Sequence, residues 1–487
     1  MLGIPHPPGF PTYMLISHLF SRLPLGTLGY RINLMSAFLG SLTIAVLYLI
    51  ILRVINVPSL AILGSLIFAF SRTFWSQCVV AEVYTLNAFF IAAVILSLFI
   101  WEEKRETKYL YLSCFIYAIS FGNHLMVAAL LPAFIYFVLA TDYRVLLNAK
   151  HLLTILACIA LGALQYLYLF IRSYQNAPFL YTNIRTLQHF FFFITLAQHR
   201  TKIFDVTLAE LVKLRLPLFL ILLSYQFSPL GLFMGPVGFY RLVKEWAKYA
   251  VFFLMLMMVV VFVSLCYKGS ETYAYLIPFH LVLSIGLSIA FKWLTTISTN
   301  YLRSGSVLLK RLSKGLLLGL FGVYVCLIFL VNYPIVDQSN STFYDAFTRA
   351  VIENVESHSL ILSPGWDWTG YYLYHLLGEE RRPNDDIWIV HHWSSEALKG
   401  YLAGEDLPDN PLPSRPPKYI RNIYFQDRED EILEAGFQWQ EVDLGGVKLV
   451  QFHKINLNML FGPWTDSLPV VGDRVKKRAQ VSYLHGF

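Results

Sequence analysis

The sequence predicts a polytopic α-helical membrane protein, with about ten transmembrane helices and a small C-terminal α/β soluble domain. Hydrophobic residues make up 56% of the 487 residues and charged residues only 14%, which is less charge than a soluble chain of this length carries. Apolar runs near the ~20 residues that cross a bilayer recur through the first two-thirds of the chain. The final third is more charged, which indicates a separate soluble domain.

Ten apolar segments are predicted to cross the membrane. The second, fourth and fifth are short or run together, so the expected number holds to within one or two. The segments are 28–52, 59–75, 78–100, 108–122, 124–141, 151–171, 215–238, 249–267, 274–293 and 315–333.

Charge divides the chain after residue 333. Residues 1–333 carry 24 Lys/Arg and 9 Asp/Glu, whereas residues 334–487 carry 14 and 22. We therefore predict a membrane domain at 1–333 and an outer-face α/β domain at 334–487. Because the basic excess belongs to the loops of a membrane domain, it does not predict a nucleic-acid partner.

The Lys and Arg residues also orient the spans. If the spans alternate, the loops 101–108, 142–150, 241–248 and 292–314 share one face, which is cytoplasmic because basic residues collect there. The opposite, outer face then receives the loop around His6 and the C-terminal domain. We expect an integral protein of the bacterial inner membrane or, in a eukaryote, of the endoplasmic-reticulum membrane.

A proline-rich turn precedes the first span. Pro7 and Pro8 cannot continue a helix and Gly9 permits a tight turn, so His6 is predicted on a stiff kink at the membrane surface. A histidine there can hydrogen-bond a phosphate or transfer a proton near neutral pH. Such a loop can equally serve only to separate two elements.

Glu82 is the first acidic residue of the chain and is predicted at the mouth of a span. An ionisable group at membrane depth is costly and usually faces a cavity or a partner, which makes Glu82 a functional candidate. The alternative is a structural ion pair with Arg31 or Arg72.

Other polar residues of the outer face are candidate binding residues. Arg31 and Asn33 could grip a phosphate, because a guanidinium offers a fork of donors, or Arg31 could simply snorkel at the interface. Asn123 and His124 form either part of a site or an interhelical hydrogen-bonding pair. The run Phe190–Phe193 predicts an amphipathic segment that lies on the membrane or lines a groove for a lipid tail.

Five short motifs follow one another at short spacings in the first 125 residues. They are His6-Pro7-Pro8-Gly9, Tyr30-Arg31-Ile32-Asn33, Phe70–Gln77, Ala81–Asn87 and Gly122-Asn123-His124-Leu125. In this order they resemble a bacterial and animal family of GT-C type membrane glycosyltransferases, which includes an endoplasmic-reticulum O-mannosyltransferase. The resemblance extends over about residues 3–380.

The resemblance implies a sugar donor linked to polyprenyl phosphate, an acceptor hydroxyl on protein or glycan at the outer face, and inversion at the anomeric carbon. It implies no tightly bound cofactor and no metal. Glu82 is then the expected base or acceptor-positioning group. His6, Arg31, Arg72 and His124 are the expected partners of the donor phosphate.

One departure from the family pattern concerns the general base. Members carry an acidic motif between a first membrane span and the His-Pro-Pro element, whereas this sequence begins at Met1 and has no Asp or Glu before Glu82. Three explanations are open. The true start of the protein lies upstream of Met1, or the protein is a truncated relative, or Glu82 has taken over the role of the general base. In the chain as given we expect donor binding with impaired turnover.

Two other classes stay open beside the enzyme. A lipid or glycolipid transporter or flippase would also have many spans and a few intramembrane charges, and a non-catalytic scaffold derived from a transferase would keep the fold. The C-terminal domain favours acceptor binding or a structural cap. Its expected elements are strands at Ser359–Ser363, Asp386–Val390, Tyr419–Gln426 and Val447–His453, helices at Trp366–Leu377 and Asp427–Ala435, and a linker at Pro408–Pro417.

The orientation can be tested by cysteine labelling in intact cells. Cysteines introduced into the His6 loop and into the C-terminal domain should both react with a membrane-impermeant reagent, because the basic loop 292–314 lies one span away on the other side. Protection of both sites would refute this orientation.

Overall fold

The computed structural model describes most of the membrane-spanning region and parts of the C-terminal region. The described residues are 2–177, 180–197, 205–268, 272–302, 306–341, 343–355, 359–363, 374–378, 387–391, 419–422, 437–443 and 448–454. They form two compact units, one covering Leu2–Asp337 and the other beginning at Gln338. The boundary after residue 333 stays a prediction.

The first unit is helical. Its principal helices are α1 (Pro11–Ser21), α2 (Leu28–Ile55), α3 (Pro58–Ala69), α4 (Arg72–Cys78), α5 (Tyr84–Lys104), α6 (Thr107–Ser120), α7 (Leu125–Asp142), α8 (Ala149–Tyr174), α9 (Leu187–Ile194), α10 (Leu208–Glu245), α11 (Ala247–Cys266), α12 (Ile277–Tyr301) and α13 (Val307–Val336). Short helical turns lie at Arg144–Leu147 and Thr272–Tyr275. The predicted polytopic helical fold is confirmed, and the protein is an integral membrane protein.

Two of the ten expected spans differ from a plain transmembrane helix. Among the described residues, eight helices are long and apolar enough to cross a bilayer, and a ninth is the pair α3 and α4, bent by 72°. Helix α6 has 14 residues, or about 21 Å at 1.5 Å per residue, which is shorter than the ~30 Å hydrocarbon core. By length alone, the described residues therefore hold eight or nine spans.

Helices α5 and α12 form the centre of the bundle. In their most apolar windows 78% and 83% of the residues are buried, against 44% or less in the other spans. Helix α12 packs closely on α10, where a Cβ added to Gly238 would lie only 1.8 Å from the carbonyl oxygen of Gly286. The remaining spans surround this pair and keep many apolar side chains exposed, as expected for surfaces that face lipid.

Breaks in the spans are closed by side chains. Helix α10 is interrupted at Ser228, which has φ 57° and precedes Pro229, and the Tyr324 hydroxyl donates to the nearby Phe227 carbonyl. Gln226 faces the bend between α3 and α4, where it accepts from the Thr73 amide at 2.8 Å and donates to the Thr73 hydroxyl at 2.7 Å. Such pairing is required because the bilayer interior offers no water to exposed backbone groups.

The second unit contains a helix and a mixed sheet. Its elements are α14 (Phe343–Asn354), β1 (Ser359–Ser363), β2 (Ile387–His391), β3 (Tyr419–Asn422), β4 (Phe437–Asp443) and β5 (Lys448–Lys454). The strand order is β2-β1-β3-β5-β4, with β1 parallel to β2 and β3, and β5 antiparallel to β3 and β4. The predicted α/β class and four predicted strands are confirmed.

Other expectations for this unit fall elsewhere. Helix Asp427–Ala435 and linker Pro408–Pro417 lie outside the described residues. Of the expected helix Trp366–Leu377 only the end is described, as one wide helical turn at Tyr374–Gly378. Strand β4 is an addition to the predicted set: Phe437 and Trp439 alternate with Gln438 and Gln440, but the alternation breaks at Glu441.

The close approach of α10 and α12 gives a stability prediction. Gly238→Ala should lower the free energy of unfolding by about 1–3 kcal/mol, because its methyl group would displace backbone rather than a flexible side chain. Gly319→Ala is the matched control, since a Cβ there meets nothing within 4 Å and alanine favours helix. Thermal unfolding of the purified proteins measures both, and equal midpoints would contradict the packing.

Candidate functional site

The His6 turn is a tight, well-anchored structure. The Gly9 amide donates to the His6 carbonyl at 2.9 Å, and the peptide between Pro7 and Pro8 is cis. Both prolines are buried, while the His6 imidazole is exposed, with Nδ1 3.0 Å from the Pro7 carbonyl oxygen. The predicted kink therefore presents one histidine and hides its own scaffold.

The chain before this turn is fixed to helix α8 and to the segment that follows it. Arg172 donates from Nε to the Leu2 carbonyl at 2.7 Å, and Ile4 forms a β-bridge with Leu180. Gly9 has φ 85°, and a Cβ there would lie 2.7 Å from Leu169. Glycine is therefore required at this position both for its backbone conformation and for space.

The His6 turn docks onto the connection between α6 and α7. The Thr12 amide donates to the Gly122 carbonyl at 2.9 Å. The Phe10 ring stacks on His124 at 6.3 Å between centroids, and it also contacts the His6 ring edge to face at 5.0 Å. Phe10 thus lies between the two histidines and holds them in one cluster.

Glu82 reaches the same region from the start of α5. Burial of the Tyr13 hydroxyl on α1, and secondly the charge of Glu82, raise the pKa of this hydroxyl. The adjacent Val83 carbonyl accepts a hydrogen bond from Asn123 Nδ2 at 3.0 Å. The structure therefore brings four predicted residues, His6, Glu82, Asn123 and His124, to one place, which we call the outer cluster.

The His124 imidazole is a neutral donor rather than a cation. Its Nδ1 accepts from the Met126 amide at 3.1 Å, which leaves Nε2 to carry the proton. Burial, and secondly the charge of His6, lower the pKa of His124 to about 4. At neutral pH this residue can therefore offer an N–H to an anion but no positive charge.

Tyrosine rings that sequence reasoning missed complete the surroundings of His124. Tyr84 lies 5.5 Å and Tyr275 5.3 Å from its ring, and the two tyrosines lie 6.1 Å from each other. Tyr84 lies in the same motif as Glu82, and this position in the sequence is the signal that could have identified it. Tyr275 enters from the connection before α12, about 150 residues later in the chain, and no local pattern predicted its approach.

Arg31 and Asn33 lie at the start of α2. The Arg31 guanidinium donates to the carbonyls of Ser21, Leu23 (3.1 Å) and Thr27 (3.2 Å), which closes the connection between α1 and α2. Carbonyl oxygens thus already use most of the fork that was expected to bind phosphate. A binding role for both residues stays a prediction.

Arg72 begins α4, just after the bend from α3. Its guanidinium lies 5.9 Å from the centre of the Tyr225 ring on α10. A cation over an aromatic face keeps its positive charge. The phosphate contact of Arg72 stays a prediction. Within the described residues, there is no cluster of three or more His, Cys, Asp or Glu side chains that could bind a metal ion.

Comparisons with known proteins agree with this fold. Residues 1–147 match the sequence family described as Protein O-mannosyl-transferase TMEM260 N-terminal domain. The protein O-mannosyl-transferase tmem260 of Dictyostelium discoideum is 24% identical over 494 residues, covering 91% of this chain and 59% of that protein. The Mus musculus protein of the same name is 24% identical over 447 residues, covering 84% and 60%.

A solved structure shares the fold. ArnT from Cupriavidus metallidurans, bound to undecaprenyl phosphate, superposes with a TM-score of 0.54 at 12% identity, covering 91% of this chain and 87% of ArnT. This superposition shows a shared membrane fold, and the family match and the two named relatives agree with the resemblance that the motifs carry. The chain spans about three-fifths of the length of the two named O-mannosyl-transferases it matches.

Because the native state holds His124 neutral, acid should destabilise the protein. The unfolded chain takes up this proton below pH 6.5 and the folded chain only near pH 4, so stability falls as pH drops through that window, by about 2 kcal/mol at pH 5. His124→Asn keeps an acceptor for the Met126 amide but does not titrate. Thermal unfolding between pH 5 and pH 7 should show a smaller pH dependence in this variant, and equal slopes would contradict the assignment.

Proposed function

We propose that this protein is an inverting membrane glycosyltransferase. It moves a sugar, which we take to be mannose, from a polyprenyl-phosphate carrier to an acceptor hydroxyl at the outer face of the membrane. The observation that carries the proposal is the outer cluster, in which Phe10 contacts both His6 and His124 and Asn123 binds the backbone next to Glu82. The names of the two O-mannosyl-transferases support the sugar and a protein acceptor.

The outer cluster offers the groups that such a transfer requires. The acceptor oxygen attacks the anomeric carbon on the side opposite the phosphate, the carbon–oxygen bond to the phosphate breaks, and the acceptor proton passes to the Glu82 carboxylate. The leaving phosphate is met by His6 and by the Nε2–H of His124. Since phosphate leaves readily, positioning and charge stabilisation carry much of the rate.

Other predicted residues belong to the same proposal with smaller support. Arg72 attracts the phosphate as the carrier enters from the lipid. Arg31 closes the turn that leads into α2, and Asn33 beside it is proposed as a further binding residue. Pro7 and Pro8 act by fixing the direction of His6. Tyr84 and Tyr275 present aromatic surfaces beside His124, which suits contact with a sugar ring.

A transporter or a non-catalytic scaffold predicts a different outcome in one experiment. Purified protein in liposomes receives a dolichyl- or undecaprenyl-phosphate-linked mannose and an acceptor peptide rich in Ser and Thr. Mannose on the peptide supports the transferase. Carrier bound without release of sugar supports the scaffold, and movement of the carrier between leaflets without release supports the flippase.

Glu82→Gln tests the proposed base. The change keeps size and hydrogen bonding but removes the charge, so transfer should fall about a hundredfold or more while carrier binding persists. Asp205→Asn is the matched control: its exposed carboxylate lies 3.0 Å from the Lys268 amine, and loss of an exposed ion pair costs little. Equal transfer by the Glu82 variant, at equal expression, would refute the base role.

A further inference from the structure

Helix α9 has an exposed apolar face. Leu187, Phe191 and Phe192 are 68%, 57% and 49% exposed, whereas Phe193 on the other side is buried. Exposed rings of this size are costly in water, at about 25 cal/mol per Å² of apolar surface. The sequence left two interpretations of this run, a segment on the membrane and a groove for a lipid tail.

The buried side of α9 places it at the membrane boundary. Phe190 packs on Tyr166 and Phe170 at 5.8 and 5.1 Å between ring centres. Both partners belong to the last turns of α8, the span that ends at Tyr174. Helix α9 is therefore fastened beside the outer end of a transmembrane helix, next to its exposed apolar residues Leu167 and Ile171.

The charge around α9 suits a phospholipid surface. Arg185 lies two residues before the helix, and the sequence from 172 to 197 contains two Arg and no Asp or Glu. Basic residues beside an apolar helical face attract anionic headgroups while the apolar side chains enter the acyl boundary.

We propose that α9 is an interfacial helix that inserts Leu187, Phe191 and Phe192 into the outer leaflet of the phospholipid bilayer. The occupant of this face is bulk phospholipid, because the face is continuous with the lipid-exposed surface of α8. The proposal does not depend on the transferase activity.

The same helix carries a consequence for the His6 turn. Its buried Phe193 lies 3.0 Å from the position that a Cβ on Gly9 would occupy. The lipid-facing side chains and the ring behind Gly9 are neighbours on one rigid helix. Insertion of α9 therefore sets the height of the His6 turn relative to the lipid surface.

Photo-crosslinking of the full chain tests the insertion. Benzoylphenylalanine in place of Phe191, in liposomes of phosphatidylcholine and phosphatidylglycerol, should form adducts with phospholipid on irradiation. The same label at Phe193 is the matched control and should crosslink within the protein. A folded Phe191-labelled protein that forms no phospholipid adduct would overturn the proposal.

A second arm separates phospholipid from the carrier lipid. Undecaprenyl phosphate added to the liposomes before irradiation should not lower the yield of the phospholipid adduct at Phe191. A lower yield of this adduct, with a polyprenyl adduct formed in its place, would mean that α9 lines a groove for the carrier tail and would overturn the bilayer assignment.

A labelling rate provides an independent measurement. Phe191→Cys in liposomes should react with an impermeant maleimide at least tenfold more slowly than Asn183→Cys, which lies in the exposed loop before α9, after subtraction of the native cysteines. Equal rates would place α9 in water and refute the insertion.

Discussion

The candidate site depends on the docking of the N-terminal segment onto the connection between α6 and α7. One backbone hydrogen bond, from the Thr12 amide to the Gly122 carbonyl, and one stacked pair, Phe10 on His124, join two segments more than 100 residues apart in the chain. The Arg172 and Leu180 contacts fix the start of the chain to α8 and the segment after it, whereas this contact joins His6 to His124. With it, the N-terminal ends of α1 and α5 and the α6–α7 connection share one small region.

The bilayer imposes a second constraint, which explains the polar residues that lie away from the outer cluster. At the bend between α3 and α4, buried side chains pair with backbone groups that the bend releases: Gln226 with the Thr73 amide, and Asn332 with the Phe70 carbonyl at 2.9 Å. These amides look like candidate site residues by burial and polarity alone. Their hydrogen bonds identify them as supports for the irregular backbone.

The two histidines of the outer cluster differ in exposure and in hydrogen bonding. His124 is partly buried and its Nδ1 accepts from the Met126 amide, so its Nε2–H is a neutral donor of fixed direction. His6 is exposed, and its Nδ1 lies 3.0 Å from the Pro7 carbonyl oxygen. In the proposed transfer, the solvent-facing His6 and the neutral His124 are the partners of the leaving phosphate.

Composition and hydropathy alone determined the membrane class, the approximate number of spans and the α/β character of the C-terminal region, because apolar length and strand patterning are local properties. The short motifs also identified His6, Glu82, Asn123 and His124 one at a time. Only the tertiary structure decided that these four meet, that Arg31 is occupied by the carbonyls of its own turn, and that Tyr275 joins them. Those outcomes depend on how helices far apart in sequence pack against one another, and no periodicity within a single segment records that packing.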